Sequence, residues 1–421
     1  MPAMTDPLLQ TVSAALFAAA LLHTFGTKLF ERLAHRYPRH AGLFHLLGEV
    51  EVVFGFWAIV LVLALALLSG GAEALRYAES REYAEPLFVF VVMVIAASRP
   101  VVLTVLAATQ ALARRLPVAT PLAAAWLGLA AIPLAGSLIT EPAAMTIAAL
   151  VLGPQIFRPG IPEHWKYLAL GVLFVNVSIG GTMTAFAAPP VLMVAGTWGW
   201  SSGFMFATFG WKAALAVLVN ASLAVALMAR HLAAEAPARQ ERADHVPAAV
   251  ALVHFGFLAA VVLLAHHPVA FLGLFLMFLG FVRAYERHQD PLILREALLV
   301  AFFLAGLVVL GGMQQWWLEP LVSGMSPRTL FFGTAALTAI TDNSALTYLG
   351  SLIEGISAQA KYSLVAGAVA GGGLTVIANA PNPAGVALLR RGFSDESIGA
   401  GGLFAGALLP TLVALAALGL L

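Results

Sequence analysis

Two acidic residues, Glu141 and Asp342, interrupt long apolar stretches of this chain. An ionisable side chain in such surroundings is costly and marks a functional site by default. Low dielectric disfavours the charged form of a carboxylate, so a proton and a cation would compete for each group. We therefore expect Na⁺ and H⁺ to bind at both positions. Oxygen ligands beside the two acids are supplied by Thr140, Thr341, Asn343 and Ser344.

Both acids also have a structural interpretation. Asp342 could cap the helix that follows it, a common role of aspartate. Glu141 precedes Pro142, a residue typical of a first helical turn, so it could cap a helix as well. Because Ser or Thr would cap a helix at membrane depth at lower cost than an acid, ion binding is the favoured interpretation, with Asp342 as the leading candidate.

Further polar residues follow each acid inside segments that contain glycine and proline. These residues are Thr182, Thr184, Thr375, Asn379 and Asn382. Each threonine could be an ion ligand or could bond back to helix carbonyls. Asn379 and Asn382 are the stronger candidates, because two amides around two prolines form a polar cluster in an apolar span.

Three other charged residues are secondary candidates. Glu49 and Glu51 lie near the start of an apolar segment, about 200° apart around the helix. The nearby bases that could pair with one of them are His23, Lys28 and His45. A structural ion pair is favoured over a proton path. Arg99 could satisfy the carbonyls of a broken helix or neutralise Glu141, and we favour a structural role for it.

The composition defines the element type that must position these residues. Of 421 residues, 61% are hydrophobic and 10% are charged, and the mean hydropathy is +0.92. A soluble domain would carry about 25% charged residues. Apolar runs of about 20 residues recur, as spanning helices require, and the alternation typical of a β-barrel is missing. The fold class predicted is therefore an all-α polytopic membrane protein.

The same composition excludes several chemistries. The chain has no cysteine, which excludes disulfides and thiolate metal sites. Its histidines show no metal-ligand spacing, and no phosphate-binding loop is present, so no cofactor is expected. A net charge of +1 gives no indication of nucleic-acid binding. The expected partners are the lipid bilayer and small inorganic ions.

Two of the apolar segments are not typical of helices that cross the membrane once. Segments 118–157 and 328–358 carry Glu141 and Asp342 near their middles and are predicted to be re-entrant helical hairpins. Full spans are predicted at 8–30, 45–69, 86–109, 166–190, 203–229, 247–265, 268–284, 296–318, 361–389 and 398–420. The first of these is expected to be retained rather than cleaved as a signal peptide.

The distribution of Lys and Arg predicts the topology. With both termini outside, most Lys and Arg fall in cytoplasmic loops, as the positive-inside rule requires. Segments 230–246 and 390–397 are then cytoplasmic, and 190–202 is external. This pattern is typical of a multi-pass protein of the bacterial inner (plasma) membrane.

The two halves of the chain show weak self-similarity. The seven residues from Thr140 echo those from Thr341, Gly180-Gly181-Thr182-Met183-Thr184 matches Gly371-Gly372-Gly373-Leu374-Thr375, and a proline pair follows each. Five crossings separate the hairpins, so the second copy is predicted to be inverted. The predicted organisation is scaffold-like helices in 1–85, a first repeat in 86–229, a linker in 230–246 and a second repeat in 247–421.

Paired acidic hairpins, each followed by a span broken at Gly, Thr and Pro, resemble the ion transporter superfamily. Within it, the chain is most similar over 86–421 to a family of sodium/proton antiporters related to the D-type sodium/proton antiporters. The resemblance implies a scaffold, a transport domain, a homodimer and an elevator-like mechanism. The Ser-Asn-Thr motifs of the superfamily's dicarboxylate carriers do not occur at the hairpin tips. Glu-Pro replaces Asp-Asn at the first tip, so the two sites need not be equivalent.

These observations favour exchange of Na⁺, or another monovalent cation, for H⁺. The alternative is a cation-coupled carrier of organic anions or oxyanions with the same fold, which Arg99 and the Gly-Gly-Thr breaks would serve. An intramembrane hydrolase with a buried acid pair is a third class, and the inverted repeat argues against it. The chain is therefore not expected to be an enzyme.

Overall fold

In a computed structural model of the chain, the described residues are 6–25, 27–233, 246–265, 267–317, 320, 324–394 and 396–421. Their secondary structure is helical, with no strand in these ranges. The first half contains α1 Pro7–Phe25, α2 Thr27–Arg36, α3 Ala41–Gly48, α4 Val50–Ser69, α5 Gly71–Glu79, α6 Ala84–Ala96, α7 Arg99–Ala113, α8 Thr120–Leu129, α9 Ala131–Ile139, α10 Glu141–Leu152, α11 Glu163–Gly180, α12 Pro189–Trp198, α13 Ser202–Met205 and α14 Trp211–Ala233. The second half contains α15 Ala248–Leu263, α16 Pro268–Ala284, α17 Leu294–Gly311, α18 Pro327–Thr338, α19 Asn343–Ser351, α20 Ala358–Gly371, α21 Asn382–Leu389 and α22 Ala400–Leu420.

Several of these helices are long and apolar enough to cross a membrane. Among the described residues there are six, or seven if the bent pair α6–α7 counts as one span. The six are Val52–Ser69, Thr120–Ile139, Glu163–Met183, Ser202–Leu232, Leu294–Gly311 and Ala400–Leu420. The predicted class of all-α multi-span membrane protein is confirmed. The predicted total of ten spans and two re-entrant hairpins stays a prediction.

Two spans differ from the sequence prediction. The segment 86–109 is not one straight helix, because α6 and α7 meet at an angle of 63°. Ser98 is extended, and Pro100 in the first turn of α7 has no N–H to continue a helix from α6. The segment 45–69 is interrupted as well, since Glu49 is extended between α3 and α4. Of the predicted linker 230–246, residues 234–245 lie outside the described residues.

The helices fall into two compact units, and the first comprises residues up to 90, 294–325 and 348–357. Its main contact joins α4 to α17. A Cβ on Gly306 would lie 2.5 Å from Phe54 O, and one on Gly55 would lie 2.2 Å from the Phe302 ring. Glycines therefore allow the two helices to approach closely, as small residues do between membrane helices.

The second unit comprises 91–293, 326–347 and 358–421. Helix α11 lies at its centre, and 83% of the span Glu163–Met183 is buried. A Cβ on Gly171 would lie 2.4 Å from the backbone of Gly406, and one on Gly406 would lie 2.2 Å from Tyr167 O. Helices α11 and α22 thus cross backbone to backbone. All residues of the candidate site described next belong to this unit.

Candidate functional site

Four irregular segments of the second unit hold the predicted site residues. The first tip (140–141) joins α9 to α10, and the second tip (339–342) joins α18 to α19. The first break (181–188) separates α11 from α12, and the second break (372–381) separates α20 from α21. Non-helical backbone at membrane depth is tolerated where it is buried in protein or lines a cavity. These segments are therefore the places where backbone and side chains are available to a ligand.

Glu141 joins the first tip to both breaks. Its side chain is fully buried. Its Oε2 accepts a hydrogen bond of 2.8 Å from Asn379 Nδ2 in the second break. Its backbone N–H donates at 3.4 Å to the carbonyl of Ala187 in the first break. Glu141 stands at the first position of α10 and not at the cap, so the carboxylate points away from its own helix toward the second break.

The two residues of this contact and their neighbours in the sequence carry buried oxygens that have no hydrogen-bond partner. Among the described residues, the buried atoms without a hydrogen-bond partner include Thr140 Oγ1, Glu141 Oε1, Asn379 Oδ1 and Asn382 Oδ1. A buried acceptor without a donor costs about 1–3 kcal/mol. Oxygen atoms are the ligands that hard cations prefer. The first tip and the second break therefore present a set of oxygens that a proton on Glu141 or a bound cation would satisfy.

Gly181 allows the carboxylate of Glu141 to lie against the first break. A Cβ at this position would be 2.7 Å from Glu141 Oε1 and 2.7 Å from its Cγ. Contacts below 3.0 Å are not made by real Cβ atoms, so any larger residue would displace the carboxylate. Gly181 thus has a direct role in the geometry of the acid.

Thr140 has a strained backbone. Its φ and ψ are 78° and 153°, a region that is essentially restricted to glycine. Such a conformation costs about 1–3 kcal/mol and persists where the surrounding structure enforces it, often at functional sites. Thr140 immediately precedes Glu141 in the sequence, and its hydroxyl is buried without a hydrogen-bond partner.

Asp342 has a different role at the second tip. Its Oδ1 accepts hydrogen bonds from the backbone N–H of Ser344 at 2.7 Å and of Ala345 at 3.1 Å. Asp342 therefore caps α19, as the structural interpretation of the sequence expects. Asp342 Oδ2 takes no part in these two bonds. The cap leaves an ion-binding role open.

The second tip is also tied to α11 and to the second break. Asn343 Nδ2 donates at 3.4 Å to Ser178 Oγ, whose hydroxyl donates at 2.8 Å to Val369 O. A Cβ on Gly372 would lie 2.1 Å from Ser178 Oγ and 2.9 Å from Asn343 Nδ2. Ser344 Oγ donates to Asn343 Oδ1 at 3.3 Å. Polar bonds thus connect the start of α19 with α11 and with the end of α20.

Glu141 and Asp342 are both buried acids of the same unit. Two negative charges in a buried site repel each other, and low dielectric strengthens this repulsion. A proton on one carboxyl or a cation close to both would remove this cost. The arrangement therefore favours binding of positive charge.

A threonine in each break donates a hydrogen bond to a backbone carbonyl near the corresponding tip. Thr184 Oγ1 donates at 2.7 Å to Ser137 O, and Thr375 Oγ1 donates at 2.9 Å to Ala339 O. In each case the threonine of the break donates to a carbonyl at or near the end of the helix that precedes the tip. The two threonines correspond in the predicted repeat, and their acceptors lie one residue out of register. The inverted relation of the complete halves stays a prediction.

Other predicted ligands bond to backbone carbonyls instead. Thr182 Oγ1 donates to Ile179 O at 2.6 Å, and Thr341 Oγ1 donates to Leu337 O at 2.8 Å. Asn382 Nδ2 donates to Gly372 O at 2.8 Å and to Thr375 O at 2.9 Å. Asn382 thereby holds the second break together while its Oδ1 stays unpartnered.

The secondary candidates lie elsewhere. Arg99 pairs with Asp290 at 3.4 Å, a contact of the structural kind that the sequence analysis favours for it. Glu49 pairs with Arg295 at 2.5 Å and not with His23, which bonds instead to Leu47 O and Trp57 Nε1. Both pairs form with partners distant in sequence, which a search of neighbouring residues misses. The side chain of Glu51 lies outside the described part of the structure.

Sequence reasoning missed a second buried polar group behind the site. Asn176 Nδ2 donates to Leu129 O at 2.7 Å, and Asn220 Nδ2 donates to Asn176 Oδ1 at 3.0 Å and to Pro410 O at 3.2 Å. Both asparagines are buried in predicted spans. An amide in an otherwise apolar span is the signal that could have identified them.

Comparison with known proteins adds one finding. A protein-family model described as "Putative Na+/H+ antiporter" matches residues 8–421, which is nearly the whole chain. No curated protein matches the chain closely enough to refine this description. In the part of the chain that the structure describes, no group of three or more His, Cys, Asp or Glu could hold a metal ion as a cluster.

Proposed function

The chain belongs to the Na⁺/H⁺ antiporter family, and from this premise we propose that it exchanges Na⁺ for H⁺ by alternating access, with Glu141 as the group for which Na⁺ and H⁺ compete and Asp342 as a supporting negative charge. The observation that carries the proposal is the state of Glu141. This carboxyl is fully buried, has one unpartnered oxygen, and lies beside further unpartnered oxygens of Thr140 and Asn379.

Competition for Glu141 would couple the two fluxes. When Glu141 is charged, its Oε1 and the oxygens of Thr140 and Asn379 can ligate Na⁺. When Glu141 is protonated, the negative charge that attracts the cation is lost. Na⁺ and H⁺ would therefore bind alternately, which is the condition for antiport.

Both the nitrogen and the oxygen of the Asn379 side-chain amide would take part in this exchange. Its Nδ2 stabilises Glu141 Oε2, while its Oδ1 remains available as a ligand. Because the amide spans from the second break to the first tip, a movement between these segments would change the site. We infer that Asn379 links ion occupancy to such a movement.

Asp342 would support binding by attracting the cation. Two backbone N–H donors stabilise its charged form. We propose that Asp342 remains charged while Glu141 gains and loses the proton. Ser344, Asn343 and Asn382 hold the surrounding segments in place.

The larger movement follows the expectation drawn from the resemblance. The two tips and two breaks would form the moving part, and the N-terminal helices would form the static part of a homodimer. Inverted repeats with ion sites near the midplane alternate access by rocking one part against the other. The bacterial inner membrane is the proposed location.

The geometry does not favour the anion-carrier alternative. Its support in the sequence was Arg99 and the Gly-Gly-Thr breaks, and Arg99 pairs with Asp290. Both charged groups of the site are acidic, and a carboxylate or oxyanion substrate would be repelled by them. A cation is the substrate that this charge distribution attracts.

Proton flux in proteoliposomes tests the proposal. Vesicles containing the purified protein, a pH-sensitive dye and an acidic interior receive external Na⁺, Li⁺ or K⁺. We expect at least one of these cations to restore the internal pH, and the double variant Glu141→Gln/Asp342→Asn to abolish that response. A response to small carboxylates in place of all three cations would contradict the proposal.

A further inference from the structure

An apolar groove lies at one end of the second unit, away from the acids. It has a volume of about 630 Å³ and lies between the N-terminal ends of α18 and α20 and the C-terminal end of α22. Its walls include the rings of Phe331 and Phe332 and the side chain of Leu412. Phe332 is 51% exposed and Leu412 61% exposed. In a membrane-spanning chain, such exposed apolar side chains face lipid.

One basic residue lines this groove, a second bonds to its wall, and a third is the sequence neighbour of a wall residue. Arg328 lines it and is exposed. Lys212 Nζ donates at 2.9 Å to the hydroxyl of Tyr362, a residue of the groove wall, and lies 4.6 Å from its ring centroid. Lys361 is adjacent in sequence to Tyr362 and lies 5.2 Å from the ring centroid of Trp198.

The positive charge of this cluster is not neutralised within the described part of the chain. The ion pairs found there involve other residues, and none includes Arg328, Lys212 or Lys361. Aromatic residues and cations together are typical of the level of lipid head groups. The groove thus combines an apolar trough with an uncompensated positive edge.

We propose that this groove binds an anionic phospholipid, with the phosphate at Arg328 and Lys212 and an acyl chain along Phe331, Phe332 and Leu412. An amphiphile with one negative head fits both parts of the groove. A soluble oxyanion would leave the apolar walls without a partner. A zwitterionic lipid would fill the trough but gain less from the basic residues.

Lipid retention measured by native mass spectrometry tests the proposal. The purified full-length protein is incubated in detergent with equal amounts of phosphatidylglycerol and phosphatidylcholine. We expect preferential retention of phosphatidylglycerol. The substitution Arg328→Gln should reduce that preference about fivefold, as removal of one basic residue beside anionic lipid implies. Arg391→Gln, which removes an exposed charge from a different part of the chain, is the matched control.

Two further arms identify the occupant. Ala416→Trp should fill the trough and reduce retention of the lipid without changing any charge. Soluble glycerol 3-phosphate should fail to displace the lipid. Equal retention of the two lipids, or displacement by glycerol 3-phosphate, would overturn the proposal. A loss of dimer with Arg328→Gln at unchanged lipid preference would instead identify the groove as an interface between copies, and would overturn it too.

Discussion

Glu141 and Asp342 hold corresponding positions in the predicted repeat, but their side chains turn in different directions. Asp342 bends back onto the first N–H groups of its own helix. Glu141 extends to Asn379 in the second break, 238 residues further along the chain. At the first tip the N–H of Ala144, which corresponds to Ala345, donates at 3.0 Å to the carbonyl of Thr140 instead of to the acid.

This comparison shows that corresponding positions of one repeat can hold acids whose charges are stabilised to different degrees. Asp342 has two backbone donors that stabilise its charge, and these donors belong to the fold. Glu141 has one side-chain donor, and its other oxygen lies against Gly181 without a partner. The less stabilised charge is the one that a proton or a cation must satisfy. We therefore expect the first tip to carry the exchange and the second tip to support it.

The largest expected effect is that of Glu141→Gln. Glutamine keeps the size of the side chain and an acceptor for Asn379 but cannot release a proton. Exchange should fall below about 1% of wild type, since a side chain that transfers a proton typically contributes a hundredfold or more. Cation-dependent proton flux in proteoliposomes measures it. Flux above that of Asp342→Asn would reverse the proposed order of the two acids.

Asp342→Asn should have a smaller effect. Asparagine caps a helix about as well as aspartate, so the fold should be retained. The lost charge should raise the cation concentration for half-maximal exchange about tenfold or more, as the loss of an interaction of about 1.5–3 kcal/mol implies. Flux measured across a cation titration gives this value. Wild-type half-saturation would show that Asp342 is only a cap.

Gly181→Ala tests the contact between the first break and Glu141. The added Cβ would overlap Glu141 Oε1. Overpacking of this kind typically destabilises the local structure by about 1–3 kcal/mol. We expect about tenfold weaker cation binding with the carboxyl still present. Gly280→Ala is the control, because a Cβ there meets no atom within 4 Å. Equal exchange by the two variants would show that the position of the carboxylate is not critical.

Thr140→Gly tests separately the backbone strain at this position and the role of its hydroxyl as a cation ligand. Glycine adopts the backbone angles of Thr140 without strain, so the free energy of unfolding should change little or rise by about 1 kcal/mol. Exchange should nevertheless decline, because the variant lacks Oγ1. Thermal unfolding in detergent and proteoliposome flux measure the two effects. Thr146→Gly, within regular helix α10, should instead lower stability by about 1 kcal/mol. Unchanged exchange in Thr140→Gly would remove its hydroxyl from the proposed site.

The sequence was sufficient to predict the fold class, because hydropathy over 20 residues reports directly on burial in lipid. It also predicted the two breaks at 181–188 and 372–381, since glycine pairs and prolines disfavour a continuous helix, but not the interruptions at Glu49 and Ser98. It could not predict which acid reaches across the site. That outcome depends on the approach of Asn379 to Glu141, a contact between residues far apart in the chain.

Buried partners were missed for the same reason. Ser178 and Asn176 lie on one helix, yet the first bonds to Val369 and the second to Leu129. Nothing in their local sequence specifies these acceptors. Thr182 and Thr341 are candidate ligands by residue type, and both hydroxyls donate to local carbonyls. The composition of a segment predicts that polar atoms are present but not how they are satisfied.

The smallest effect is expected for Glu49→Gln in the first unit. Glu49 was a secondary candidate for a proton path, but its carboxylate pairs with Arg295, whose side chain is 68% exposed. An exposed pair contributes about 1 kcal/mol or less to stability. We expect a slight decrease in thermal stability and near-normal exchange, measured in the same proteoliposomes as Glu141→Gln. Arg295→Gln should reproduce the stability change, since it breaks the same pair. A loss of exchange in Glu49→Gln but not in Arg295→Gln would assign ion chemistry to Glu49 itself, and the exchange could then no longer be attributed to the two tips alone.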